Sequence, residues 1–581
     1  MTAQQEPEPQ FEAESALQEL VSTGLERLTA EGVARRIWER DASLWKTDRA
    51  VQQEIRERLG WLTVANTMQE RLQEIEGLVE AVRQDGYRYA VLLGMGGSSL
   101  CPEVLRLTFG VAPGYLDLFV LDTTDPDTIR AVEERIDLGK TLFIVASKSG
   151  ETIETLSHFR YFWQRVSELG GEGGAHFIAI TDPGTSLEQL AHDHRFRHVF
   201  ANPPDIGGRY SALSFFGLVP GALIGVDIKQ LLTRAQEAMS RCSASQPVAD
   251  NPGLRLGAVL GALGTHGRDK ITFVLSPAIA SYGYWVEQLI AESTGKEGRG
   301  LLPVEGEALG APSVYGNDRL FVYLRLEGDD NAALDEGLAR LRTAGQPLVR
   351  FHLADRYDLG AQFFIWELAT AVAGIFLQIN AFDQPNVQES KDNTARLLER
   401  FRREGKLPEL EPVISEGALR VYGRRMGEGK EGLDSYLQAF LDQVRPGDYI
   451  ALMAYVQRSE VNESALQALR LRLRDRYRVA TTLGYGPRFL HSTGQLHKGG
   501  PNNGVFIQIT GDVKQDVPIP GESYTFGILK EAQALGDLFA LSAHERRNIR
   551  IAIGGDLAAG LQALAQRLVP VEQQGDGQPS H

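Results

Sequence analysis

Tyr89-Ala90-Val91-Leu92-Leu93-Gly94-Met95-Gly96-Gly97-Ser98-Ser99 is the stretch that decides the fold. The uncharged run Tyr89 to Leu93 reads as a strand buried on both faces, and it empties into a glycine- and serine-rich loop where a helix should begin. The pattern returns further along. Thr141-Leu142-Phe143-Ile144-Val145-Ala146 runs into Ser147-Lys148-Ser149-Gly150-Glu151-Thr152. A helix N-terminus offers unpaired N–H groups and the positive end of its dipole, so both loops favour an anion. Glycines let the backbone approach; Ser and Thr hydroxyls add donors. Two such loops predict a phosphate pocket at the carboxyl edge of a parallel sheet. Neither is a common nucleotide loop: there is no G-x-x-x-x-G-K-[ST], and GMGGSS lacks the G-x-G-x-x-G spacing.

Outward from these loops the chain alternates. Strands are expected at 89–93, 116–121, 142–146 and 176–180, with helical segments between them, which is the βαβ signature. Before them, Leu17, Leu20, Val21, Leu25 and Leu28, then Ile55, Leu59 and Leu62, recur at helical spacing. After a polar break at 243–252, strands are expected at 271–275, 320–324 and 348–353. Helices are expected at 361–378 and 387–402, and 402–408 reads as a linker. Residues 412–570 then look like a partial repeat of the preceding unit. Residues 448–453 parallel 269–274, residues 503–509 parallel 318–324, and Tyr524-Thr525-Phe526-Gly527 parallels Tyr357-Asp358-Leu359-Gly360. The expected layout is a disordered tail at 1–12, a helical segment at 13–85, α/β units at 86–245, 252–408 and 412–570, and a tail at 571–581.

Composition narrows the function. Net charge is −16, which argues against a nucleic-acid surface but leaves room for a local basic pocket. Two cysteines, Cys101 and Cys242, suit neither a disulfide framework nor a zinc cluster and fit a reducing cytoplasm. The N-terminus is polar and acidic, and no stretch reads as a membrane span. His192, His194 and His198 read as a surface loop, and no metal set is visible.

Four ordered motifs turn this outline into a resemblance. The two loops together are similar to the sugar isomerase (SIS) fold. Ile206-Gly207-Gly208-Arg209-Tyr210-Ser211, Glu292-Ser293-Thr294-Gly295-Lys296, and Phe382-Asp383-Gln384-Pro385 through Lys391 resemble, in order, the GGRYS, ESNGK and FDQ-x-x-V-E-x-x-K segments of phosphoglucose isomerases. The resemblance runs from about residue 30 to about residue 405. Such chains normally end there. The length of this one resembles the isomerase half of fused transaldolase–phosphoglucose isomerases, although no transaldolase half is visible. The implied fold is α/β: SIS-type doubly wound parallel-sheet domains, with a helical N-terminal extension and a third SIS-like C-terminal domain.

The resemblance implies reversible isomerisation of glucose 6-phosphate and fructose 6-phosphate, with no cofactor. That chemistry moves one proton between adjacent carbons through an enediolate and needs a single tuned base. Glu292 matches the family's glutamate. Arg209 matches its arginine, a fixed cation for the charge on the enediolate oxygens. Gln288 lies one turn before Glu292, on the same face. Gly97, Ser98, Ser147, Lys148, Ser149 and Thr152 fall where the family holds the sugar phosphate. Ser99 stands where many relatives have Asp, and Gly150-Glu151 departs from the family's Thr-Phe-Thr-Thr loop. Ring opening needs an acid and a base; Lys391 matches the family's lysine, and a histidine suits the rest. Between Glu292 and Phe382 the one histidine is His352, which lacks the family context. The family's His-Ser-x-Gly-Gln appears later, as His491-Ser492-Thr493-Gly494-Gln495. His491 is therefore the expected catalytic histidine, acting within its own chain or across a dimer, and His497 is a decoy. The partner expected is a sugar phosphate, the state monomer or homodimer, the place the cytoplasm. Two readings stay open beside this one: a dual phosphoglucose/phosphomannose isomerase, and a non-catalytic SIS protein that senses sugar phosphates.

Overall fold

The computed structural model describes residues 8–426 and 432–568. Its strands, in chain order, are Gln10–Glu12 (β1), Tyr89–Gly94 (β2), Asp117–Leu121 (β3), Thr141–Ala146 (β4), Phe177–Thr181 (β5), His198–Ala201 (β6), Lys270–Leu275 (β7), Leu302–Val304 (β8), Arg319–Leu326 (β9), Leu348–Leu353 (β10), Ile414–Glu416 (β11), Leu419–Tyr422 (β12), Tyr449–Tyr455 (β13), Ala480–Tyr485 (β14), Gly504–Gly511 (β15) and Arg547–Ile553 (β16). They form three sheets, ordered β3-β2-β4-β5-β6, β1-β10-β9-β7-β8 and β11-β12-β16-β15-β13-β14. The first is parallel throughout. The second and third are parallel except for β1, β11 and β12, which close one edge antiparallel.

One winding rule recurs. In each sheet the first parallel strand is central, the second lies to one side, and the third and fourth lie to the other. The chain therefore reverses direction between β2 and β4, between β7 and β9, and between β13 and β15. Such a switch point leaves a crevice beyond the carboxyl ends of the strands. The two glycine- and hydroxyl-rich loops follow β2 and β4, so both open onto the crevice of the first sheet.

Period-two alternation of apolar residues divides the core. Ala90, Leu92, Leu142, Ile144, Ile178 and Ile180 face one cluster, shared with the N-terminal helices and the second unit. Val91, Leu93, Phe143, Val145, Phe177 and Ala179 face the other, and there they meet Phe526, Leu529 and Ala532 of the C-terminal unit. Burying a side chain such as Phe526 stabilises by about 1.5–3 kcal/mol. The helix Phe526–Ala543 thus serves two units at once, packing beside the helix Ile153–Ser167 in the core of the first.

Several expectations need correction. Residues 10–12, expected within a disordered tail, pair as β1 with β10; residues 1–7 and 569–581, and with them the whole tail expected at 571–581, lie outside the described residues. The expected linker at 402–408 begins inside the helix Pro385–Glu404, which ends at Gly405 with φ of 73°. The repeat correspondence at Tyr524 is misplaced. The helix Phe526–Ala543 follows the third parallel strand of its sheet, so its counterpart is Ala332–Thr343, not Leu359–Leu377. Finally, one helix is apolar and long enough to cross a bilayer by length and composition. It spans Arg356–Leu377 and is 94% buried inside the protein.

That helix carries Glu367, fully buried, with neither carboxyl oxygen hydrogen-bonded among the described residues. Burial raises its pKa well above the usual carboxylate range. The folded state therefore holds the proton more tightly than the unfolded chain does. Stability falls as pH rises above about 4.5, until the folded group itself ionises. Glu367→Gln removes this loss. Its gain in Tm over wild type should grow from pH 4.5 to pH 8 by on the order of a few °C, read by thermal melts across that range. A gain that does not vary with pH would refute the account.

Candidate active site

The crevice of the first sheet is a cavity of about 710 Å³, lined by Gly96, Gly97 and Ser98, by Lys148, Ser149 and Thr152, by Arg209, Gln288, Glu292 and Gln384, and by Lys391 and His491. Glycine is required at its floor. A Cβ on Gly97 would sit 2.1 Å from the Gly208 carbonyl oxygen, so the β2 loop can close on the Gly208–Tyr210 turn only without a side chain. Gly96 takes φ of 55°, and a Cβ there would meet the His491 carbonyl at 2.9 Å.

At the centre stands Glu292, in the last turn of the helix Tyr282–Thr294 and 7% exposed. Its Oε1 accepts from Arg209 Nη1 at 3.1 Å, and its Oε2 accepts from Gln288 Nε2 at 2.9 Å. Gln288 also donates to the His491 carbonyl at 2.8 Å, tying that turn to the glutamate helix. Arg209 is 2% exposed and fully engaged. Its Nε donates to Ser293 Oγ at 2.7 Å, its Nη1 to Gln384 Oε1 at 3.0 Å, and its Nη2 to the carbonyls of Ala381 and Asp383 at 2.7 and 3.0 Å. A guanidinium held this way needs no reorganisation when charge develops beside it. Lys296 pairs with Asp383 at 2.7 Å and pins the same segment; burial, then the charge of Arg209, pull it down to about 8.

The β4 loop arranges its donors unequally. Ser149 and Thr152 line the cavity. Ser147 does not: its buried hydroxyl shares a 2.9 Å hydrogen bond with Thr152 Oγ1 and accepts from the Gly150 N–H at 3.1 Å. Ser147 shapes the loop from behind. Lys148 pairs with Asp182 and donates to the Pro204 carbonyl, so its charge is shared across the rim. Ser99 contacts Asp122 Oδ2 at 3.2 Å, so a carboxylate reaches this spot from the end of β3.

His491 enters from the C-terminal unit of the same chain. Its turn, Arg488–His491, follows β14 and is anchored by Arg488, which donates to both carboxylate oxygens of Asp122 at 2.6 and 3.1 Å. The imidazole Nε2 lies 2.8 Å from Oε1 of Glu154. Burial acts to raise the Glu154 carboxyl, but His491 beside it and Lys391 beyond it outweigh burial and hold it below the usual range. Neither rival histidine lines the cavity. His352 lies on β10, and His497 is buried among Tyr449, Phe489 and Phe506 with both ring nitrogens unbonded among the described residues. His194 and His198 turn to different partners, the Leu190 carbonyl and Glu74.

Glu154 went unread in the sequence, although it follows Thr152 by two residues in the first turn of the helix Ile153–Ser167. A Glu in a first turn is ordinarily a solvated dipole partner. What separates this one is its burial, to which His491 and Gln533 of the C-terminal unit contribute.

A family model described as phosphoglucose isomerase matches residues 61–300. That span holds both loops, Arg209 and Glu292, whereas Lys391 and His491 lie beyond it. The glucose-6-phosphate isomerase of Carboxydothermus hydrogenoformans is 29% identical over 419 residues, 62% of this chain and 89% of that one. The glucose-6-phosphate isomerase of Methanocaldococcus jannaschii is 26% identical over 352 residues, 54% of this chain and 85% of that one. Among solved structures, a hypothetical protein from Thermus thermophilus superposes with a TM-score of 0.58 at 25% identity, covering 68% of this chain and all of that one. A glucose-6-phosphate isomerase from Chlamydia trachomatis shares the fold, with a TM-score of 0.52 at 19% identity over 67% of this chain and 86% of that one. Sheet order, motifs and relatives converge on one likeness: residues 61–300 match the phosphoglucose isomerase family, and the curated relatives carry the glucose-6-phosphate isomerase name.

Proposed function

We propose that this cavity interconverts glucose 6-phosphate and fructose 6-phosphate, and that it does so within one chain. The observation that carries the reading is the Arg209–Glu292–Gln288 cluster lining one cavity with two anion-favouring loops, with His491 tied to Gln288 through its carbonyl. The phosphate lies against Ser98, Ser149, Thr152 and the backbone of the β2 loop. His491, with its Nε2–H directed at Glu154, acts with Lys391 to move a proton from the anomeric hydroxyl and deliver one to the ring oxygen, opening the ring. Glu292 then removes the C2 proton. The electron pair left behind forms the C1–C2 double bond, and the carbonyl oxygen takes the charge beside Arg209. The O2 hydroxyl proton passes to O1, the same carbon-bound proton returns from Glu292 to C1, and the carbonyl forms at C2 to yield the ketose. No redox partner enters: the oxidation of one carbon balances the reduction of its neighbour. We also read residues 412–568 as the extension that fused transaldolase–phosphoglucose isomerases carry, and the cytoplasm as the working compartment, as two buried thiols suggest.

The test is a coupled assay on purified protein with fructose 6-phosphate and mannose 6-phosphate separately. Turnover of the first is expected; turnover of neither would reject the reading. A second measurement examines the phosphate loops. Ser149→Ala combined with Thr152→Ala should raise KM by about tenfold or more while kcat changes less, because phosphate contacts are made equally in ground and transition states. Inorganic phosphate should inhibit competitively. Wild-type KM in the double variant would remove these hydroxyls from the site.

A further inference from the structure

The helix Phe526–Ala543 belongs to the C-terminal unit, yet one face of it joins the core of the first unit, where Phe526 stacks on His158. Lys530 and Gln533 are three residues apart and so share that face. Lys530 Nζ reaches Asp125 Oδ2 at 2.9 Å, and Gln533, 2% exposed, fills the space behind Glu154. Gln533 Nε2 donates to Glu154 Oε1 at 2.6 Å. Its Oε1 accepts from Thr124 Oγ1 at 2.7 Å. The amide is thereby oriented: turned round, it would set oxygen against a carboxylate. The Glu154 oxygen that takes this bond is the one that faces His491 Nε2 at 2.8 Å. A single carboxylate oxygen is thus approached by an imidazole nitrogen and by a neutral amide.

We propose that Gln533 is a positioning residue for ring opening: its amide holds Glu154 ionised and in one rotamer, and so keeps the His491 imidazole in the tautomer that carries its proton on Nε2. The inference rests on the isomerase reading above. Glu154 is itself 2% exposed, and a dry carboxylate needs donors to stay charged. The titratable groups facing it are His491, Lys391 from the helix Pro385–Glu404, His158 one turn along its own helix, and Tyr455 at the end of β13. Each of these can change its charge. The amide cannot, so it supplies a donor at every pH without adding a charge that would compete with the imidazole.

Gln533→Met keeps the length of the side chain and removes the donor. On closed-ring glucose 6-phosphate, kcat should fall roughly tenfold with KM nearly unchanged, and the acid limb of kcat should move to higher pH. In substrate-free protein, ring ¹⁵N shifts should show His491 passing from the Nε2–H tautomer to a mixture. Gln533→Glu should recover activity at the acid end alone, where a protonated carboxyl can donate as the amide does. An unchanged His491 tautomer in Gln533→Met overturns the proposal. So does a fall in kcat with an unmoved acid limb, which marks a packing defect. The tautomer measurement requires no turnover, so failure of wild type to isomerise either sugar phosphate strikes the isomerase reading and leaves Gln533 separately judged.

Discussion

Glu292→Gln lowers kcat by about 10²–10⁴-fold, the usual consequence of losing a general base. Affinity for the sugar phosphate changes little, because the proton-transfer group is apart from the phosphate loops. The variant is also close to isosteric. Its amide oxygen can still accept from Arg209, but a neutral partner leaves that guanidinium less compensated in a buried site, so some of the loss is electrostatic. Two measurements separate the effects. Solvent deuterium enters C2 during turnover from fructose 6-phosphate in wild type and fails to do so in the variant. Melting temperature reports the cost of the broken ion pair. A variant that turns over within twofold of wild type would remove Glu292 from the proton path.

His491→Ala gives the second large effect, about 10²–10⁴-fold on closed-ring substrate. A four-carbon aldose phosphate, too short to close through its phosphorylated end, should be spared by comparison, since the histidine works before the enediolate forms. The cavity contains His491 of its own chain, so mixing His491→Ala protein with Glu292→Gln protein should restore nothing, even with subunit exchange shown independently. Each variant lacks one half of a site whose two halves come from the same chain. Restored activity in the mixture would show that the histidine acts between chains. Full activity of His491→Ala on glucose 6-phosphate would remove it from the mechanism.

The one-chain arrangement follows from packing. Phe526, Leu529 and Ala532 extend the core that Phe159 and Phe162 of the helix Ile153–Ser167 build on the first sheet, and Lys530 and Arg488 fasten the same unit through Asp125 and Asp122. These contacts carry the turn holding His491 across the crevice. The fastening is polar as well as apolar: Arg488–Asp122 at 2.6 Å and Lys530–Asp125 at 2.9 Å both join the C-terminal unit to the first.

Much of the crevice was legible in the chain because its signals are local. Buried strands running into Gly-Met-Gly-Gly-Ser-Ser and Ser-Lys-Ser-Gly-Glu-Thr need only their own neighbours to be read as strand and loop. The Gly-Gly before Arg209 and the helical run before Glu292 are likewise short-range patterns. Residues whose meaning depends on distant partners were not legible. Glu154 is one of many glutamates until Gln533, 379 positions away, donates to it. Ser147 looked equal to Ser149 and Thr152 until loop closure turned its hydroxyl inward. Tyr524-Thr525-Phe526-Gly527 resembled Tyr357-Asp358-Leu359-Gly360, yet strand order sets the two helices at different places in their sheets. Local composition determined where strands end in anion-binding loops and which side chains could carry the chemistry. Which of them meet was decided by the tertiary structure alone, because burying apolar surface between the helix Ile153–Ser167 and the C-terminal unit is what brings His491 and Gln533 against Glu154.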